Sequence, residues 1–139
     1  MSHPKTYLYR QIVQAKIFMD EHYADELDLD HISEQAYFSK FHFLRLFKQI
    51  YGQTPHQYLA KLRLEKARLL LAKGSSVSEV CLMVGFLSNG SFTTLFKRTY
   101  GITPSSYQEQ QIKLREELRT KPLKFIPNCF ADAHGWSEK

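Results

Sequence analysis

Lys40, Phe41, His42, Leu44, Arg45 and Lys48 fall on one side of a helical pattern whose other side carries Phe43, Leu46, Phe47 and Ile50. That outer set has a definable chemistry. A guanidinium such as Arg45 can fork onto two acceptors in one plane, the arrangement guanine presents in the major groove of a duplex. Phe41 and Leu44 could pack on thymine methyl groups, and Lys48 is placed to neutralise a phosphate. A second outer side, Asn89, Gly90, Ser91, Thr93, Thr94, Lys97 and Arg98, follows 49 residues later. There Asn89 could pair with adenine, while Lys97 and Arg98 suit phosphate.

Other readings of the same residues stand beside this one. Basic groups on a helix exterior are ordinarily just solvated. Two apolar residues facing water need a partner, and for Phe41 and Leu44 that partner is either a nucleic acid or the tail residues Leu123, Phe125, Ile126 and Phe130. Catalysis has little to stand on. The six histidines, at positions 3, 22, 31, 42, 56 and 134, show no pairing at ligand spacing, and nothing couples a nucleophile to a base. Cys81 and Cys129 make neither a disulfide framework nor a zinc set, so no metal, cofactor or enzymatic activity is expected.

The elements that must position these side chains are written twice. The segment from Phe47 to Tyr58 returns from Phe96 to Tyr107, with Phe, Lys, Tyr, Gly, Thr, Pro and Tyr each recurring at an offset of 49. Further upstream, Leu29, Ile32, Ala36 and Phe38 match Val77, Val80, Val84 and Phe86 at 48, so one residue is inserted in the second turn. Each unit reads as a short helix, a tight turn and a longer capped helix, the order of a helix-turn-helix. Caps are explicit. Asp28, Ser39 and Ser88 can each open a helix, Thr54-Pro55-His56-Gln57 and Ser76-Val77-Ser78-Glu79 read as capping boxes, and Gly52, Gly74 and Gly85 supply stops or turns.

Around the repeat, Leu8, Ile12, Ala15 and Met19 predict a first helix over about 6–22. The helix over 55–73 is expected to bury Tyr58, Leu59, Leu62, Leu70 and Leu71 on one side, with Ala67 allowing close approach. A last helix opens at Thr103-Pro104 and can reach Leu118. The fold class is therefore all-α, about seven helices. The expected divisions are 1–53 for a first helix-turn-helix subdomain, 54–73 for a connecting helix, 74–110 for the second subdomain and 111–139 for a helix end and tail.

Charge follows the same division. Residues 1–35 hold three Lys/Arg against seven Asp/Glu, residues 36–110 ten against three, and residues 111–139 six against four. Positive charge thus concentrates in the repeat, as a polyanion binder requires. At 139 residues and 43% hydrophobic content the chain is a folded domain with no membrane-length apolar run. Its polar start lacks a signal-peptide core, so a reduced, cytoplasmic protein is expected.

Taken together, the second copy (Val80-Cys81-Leu82-Met83-Val84-Gly85-Phe86-Leu87-Ser88, then Phe92, Phe96-Lys97, Gly101, Thr103-Pro104 and Tyr107) resembles the DNA-binding domain of the AraC/XylS family of transcription regulators. The first copy, from Ser39 to Lys48, and the stretch from Arg63 to Leu70 fit as well, so the resemblance covers about residues 6–110. It implies two lobes held by the connecting helix, with reading helices over about 39–51 and 88–100 entering successive major grooves. It also implies base contacts from Phe41, Leu44, Arg45, Asn89, Gly90, Thr93 and Thr94. Phosphate candidates are Ser39, Lys40, Lys48, Ser88, Lys97 and Arg98.

The resemblance further implies a monomer on an asymmetric duplex site, and an activator in contact with RNA polymerase. Because only an acidic, helical segment precedes the repeat, the chain resembles the standalone members without a ligand-sensing domain. Three departures stand out. Tyr37 replaces a common turn glycine, Leu44 offers no hydrogen bond, and Gly90 has no side chain, so direct readout by the second unit is expected to be weak. The tail from Lys121 to Lys139 carries an alternative, an interaction protein, against the simpler expectation of a loosely docked terminus.

Overall fold

The computed structural model describes residues 4–35 and 39–135. Seven helices appear in the expected order: α1 (Pro4–Glu21), α2 (Leu29–Gln35), α3 (Lys40–Tyr51), α4 (Pro55–Ala72), α5 (Val77–Met83), α6 (Asn89–Tyr100) and α7 (Pro104–Thr120). A 3-10 turn over Pro122–Phe125 and a short helix α8 (Asn128–Ala133) follow, and no strand occurs among the described residues. The expectations placed on Ala36, Tyr37 and Phe38, and on the last four tail residues (136–139), lie outside the described residues.

The helices begin and end where side chains can take over backbone hydrogen bonds. Asp28 Oδ1 accepts from the Asp30 amide at 3.0 Å and Ser39 Oγ from the His42 amide at 3.2 Å. Thr54 and Gln57 form a complete capping box, the Thr54 hydroxyl accepting from the Gln57 amide at 3.2 Å and Gln57 Oε1 from the Thr54 amide at 3.0 Å. At Ser76 one half of the box is made, by the Glu79 amide at 3.2 Å. Gly52 and Gly101 close α3 and α6 at φ of 74° and 82°, the left-handed geometry glycine adopts without strain.

Two separate cores result. Ile12, Ala15, Met19, Leu29, Ile32, Phe43, Phe47 and Leu59 form the first, and Leu64, Ala67, Leu71, Val80, Cys81, Val84, Phe92 and Phe96 the second. Their aromatic stacks are near copies. Phe47 lies 5.9, 4.8 and 5.6 Å from the rings of Phe43, Tyr51 and Tyr58. Phe96 lies 5.8, 4.8 and 5.7 Å from Phe92, Tyr100 and Tyr107. Cys81 is buried in the second core, and desolvation there pushes its thiol pKa up, so it acts as a small apolar side chain.

The connecting helix corrects one expectation. It does not bury one side. Leu59 faces the first core and Leu64, Ala67 and Leu71 the second, while Pro55 is buried at the helix start and Leu62 and Leu70 are half-buried. Five residues separate Leu59 from Leu64, and at 3.6 residues per turn that rotates the buried stripe by about 140°. A helix serving two lobes cannot show a single stripe. Arg63, one turn after Leu59, continues the first stripe, and its Nε and Nη2 donate to the carbonyls of Tyr23 at 2.6 Å and Asp25 at 3.0 Å.

α7 packs along α4 and closes its far end. Gln108 Nε2 donates to the carbonyls of Leu71 at 3.1 Å and Ser75 at 2.6 Å, and Arg115 donates to that of Ala72. Among the described tail residues, the 3-10 turn packs against α7 and α8 follows it.

Candidate nucleic-acid interface

α3 and α6 are both 12 residues long, both start behind a serine cap and both end on a left-handed glycine. Each buries two phenylalanines, Phe43 and Phe47 or Phe92 and Phe96, four residues and so about one turn apart on one face. Burial of that face turns much of the opposite side outward, and most of the predicted readers lie there.

On α3, Phe41 stands clear of the protein at 80% exposure, and Arg45 and Lys48 are exposed as well. Leu44 corrects the expectation. It does not face water freely but lies half-buried against the first core, since the stretch from Leu27 to Asp30 and the start of α4 flank it. Only its outer atoms could meet a base. Ile50, expected inside, is 39% exposed near the helix end. Ser39 is occupied as a cap, and Lys40 pairs with Asp30 at 3.2 Å, both groups largely in solvent. Such a pair is worth little, so Lys40 can exchange it for a phosphate.

On α6, Ser88 caps the Ser91 amide at 3.2 Å. Asn89 makes a long 3.4 Å contact to the Ser78 hydroxyl, which a base edge could displace. A side chain at Gly90 would meet nothing within 4 Å, so packing does not require glycine there. Thr93 is half-buried, matching Leu44 at the equivalent position, and Thr94 is exposed. Lys97 and Arg98 are exposed in the last turn, where cations also favour the helix dipole.

Of the tail residues named as possible cover, Leu123 and Ile126 are half-buried. Phe125 and Phe130 are themselves exposed, at 42% and 46%, and the adjacent 3-10 turn packs on α7. Among the described residues no group of three His, Cys, Asp or Glu could hold a metal ion, and no helix is long and apolar enough to cross a membrane.

Sequence reasoning missed the junction behind the two readers. Tyr23 packs against both cores, Lys66 sits 5.7 Å above its ring, and Arg63 holds the backbone on either side of Ala24. Its partners are main-chain carbonyls about 40 positions away, which no residue-type pattern announces.

The helix-turn-helix domain family matches residues 32–110. Over 78 residues the chain is 38% identical to the transcriptional activator RhaS of Escherichia coli, covering 55% of this chain and 28% of that protein. Over 69 residues it is 36% identical to YbfI of Bacillus subtilis, an HTH-type transcriptional regulator, covering 50% and 25%. The chain thus spans about a quarter of the length of these curated relatives. An AraC-type regulator structure from Chromobacterium violaceum superposes with a TM-score of 0.67 at 30% identity, over 74% of this chain and 93% of that one. The DNA-binding domain of AdpA, solved with a target DNA, gives 0.68 at 27% identity over 80% and 96%.

Proposed function

From the premise that this chain belongs to the AraC/XylS-type helix-turn-helix family and is a DNA-binding transcription regulator, not an enzyme, we propose how it reads DNA. α3 and α6 enter successive major grooves on one face of a duplex, about one helical turn apart. One molecule occupies one asymmetric site. Arg45, Phe41 and the outer edge of Leu44 read bases in the first groove, and Asn89, Thr93 and Thr94, beside the open surface at Gly90, meet the second. Lys40, Lys48, Lys97 and Arg98, with the hydroxyls of Ser39 and Ser88, contact the backbone.

The observation that carries this reading is the pair of identically capped 12-residue helices on one connecting helix, each with its charge turned away from its own core. The unequal outer faces make the first helix the stronger sequence reader, while the second leans on phosphate and DNA shape. The RhaS relative is named an activator, which supports activation here; contact with RNA polymerase rests on the family resemblance alone. Selection of bound sites from random duplexes tests the reading. Two unlike blocks one turn apart are expected; one block would remove the second reader, and a palindrome would replace the monomer with a dimer. Purified polymerase on a promoter carrying the site should then make more transcript with the protein than without it.

A further inference from the structure

Among the described residues the two lobes meet away from α4 at a junction. There the loop after α1, the Arg63 side chain and the turn of the second helix-turn-helix come together. Arg63 grips the carbonyls of Tyr23 and Asp25. Gly85, at φ 98°, closes over the same place, where an added Cβ would lie 3.0 Å from the Ala24 carbonyl oxygen and 3.0 Å from Arg63 Nε. Gly85 precedes α6 by four residues, so a shift at this contact is passed directly to the second reading helix.

We propose that Arg63 is a positioning residue that fixes the angle between α3 and α6, and so the permitted spacing between the two DNA blocks. The inference rests on the two-groove reading above. A guanidinium suits the task because its planar fork holds two acceptors in one geometry and needs no carboxylate. Without it, the lobes remain joined by α4 and by Tyr23 packing on both cores, which hold no fixed hydrogen-bond geometry between them. Arg63 touches no base in this arrangement. Its effect falls on geometry.

The test uses the full chain and duplexes carrying the selected blocks at their preferred spacing and with one or two base pairs added or removed. Each added pair turns the second block by about a tenth of a helical turn. Wild type should lose about tenfold in affinity per step, comparable to one mismatched base pair. Arg63→Ala should bind the preferred spacing within about threefold of wild type yet show little penalty for one-pair changes, a flattened spacing profile. Arg63→Lys, which can reach one carbonyl but not both, should fall between them.

An Arg63→Ala profile as sharp as wild type, with only a lower melting temperature, would overturn the proposal and leave Arg63 a local staple. If Arg63→Ala does not fold, Arg63→Lys decides in the same way: broadened supports, unchanged overturns. A wild-type protein indifferent to spacing would instead refute the two-groove reading itself, whatever the variants do.

Discussion

Arg45→Ala separates sequence reading from everything else α3 does. The side chain is exposed, and among the described residues it makes no hydrogen bond or ion pair. Arginine and alanine are both good helix formers, so folding stability should change by less than about 0.5 kcal/mol. Binding should respond differently. A bidentate arginine–guanine pair contributes about 1–3 kcal/mol of discrimination, and at about 1.4 kcal/mol per tenfold that is a loss of about 5- to 150-fold on the preferred site. The loss should vanish on a duplex whose partner guanine is already replaced, because wild type has forfeited the same pair. Anisotropy titrations of both proteins against the preferred duplex and its single-base variants, at two salt concentrations, measure this directly. Lys97→Ala supplies the comparison, weakening all duplexes alike and reducing the salt slope by about 0.9. If Arg45→Ala behaves like Lys97→Ala, the guanidinium is a phosphate contact and the assignment fails.

Asp30→Asn should tighten DNA binding several-fold at low salt and less at high salt, because it releases Lys40 from its 3.2 Å partner and removes a negative charge near the backbone; weaker binding would show that the pair orients Lys40. Phe96→Ala removes a fully buried ring that touches three others and should cost about 3–5 kcal/mol by chemical denaturation; Phe47→Ala, its counterpart, should cost about the same. Burial, and then the hydrogen bond donated to Asp20, raise the Tyr58 pKa to about 12 from an unfolded value of about 10. The folded state therefore keeps a proton that the unfolded state loses first. Stability should be full below pH 10 and fall towards pH 12, and Tyr58→Phe should lessen that fall in pH-dependent melts.

What the sequence made legible was local. Ser39, Thr54, Ser76 and Ser88 act within three residues of the amides they cap, so their roles can be read from neighbours. The duplicated phenylalanines also announced themselves, because both copies keep the period of one buried helix face. Legibility failed where a side chain answers to something distant. Leu44 looked like an outward reader because only α3 was in view, yet the segment before α2 folds over its flank. The connecting helix looked one-sided because two stripes, offset by the change of lobe between Leu59 and Leu64, blur into one when counted along the chain. Arg63 gave no signal, since an arginine held by two main-chain carbonyls leaves no mark on the residues that hold it.

The way α7 closes α4 has a practical meaning for where this domain can be cut. Similarity to the helix-turn-helix family ends at residue 110, but the last carbonyls of α4 are held from Gln108 and from Arg115 beyond that limit. A fragment trimmed at 110 would keep both reading helices while stripping Arg115 from Ala72 and shortening α7 along the helix that joins the lobes. The edge drawn by homology and the edge drawn by backbone satisfaction are thus different residues. Limited proteolysis should respect the second, leaving a resistant product whose C-terminus lies past Arg115.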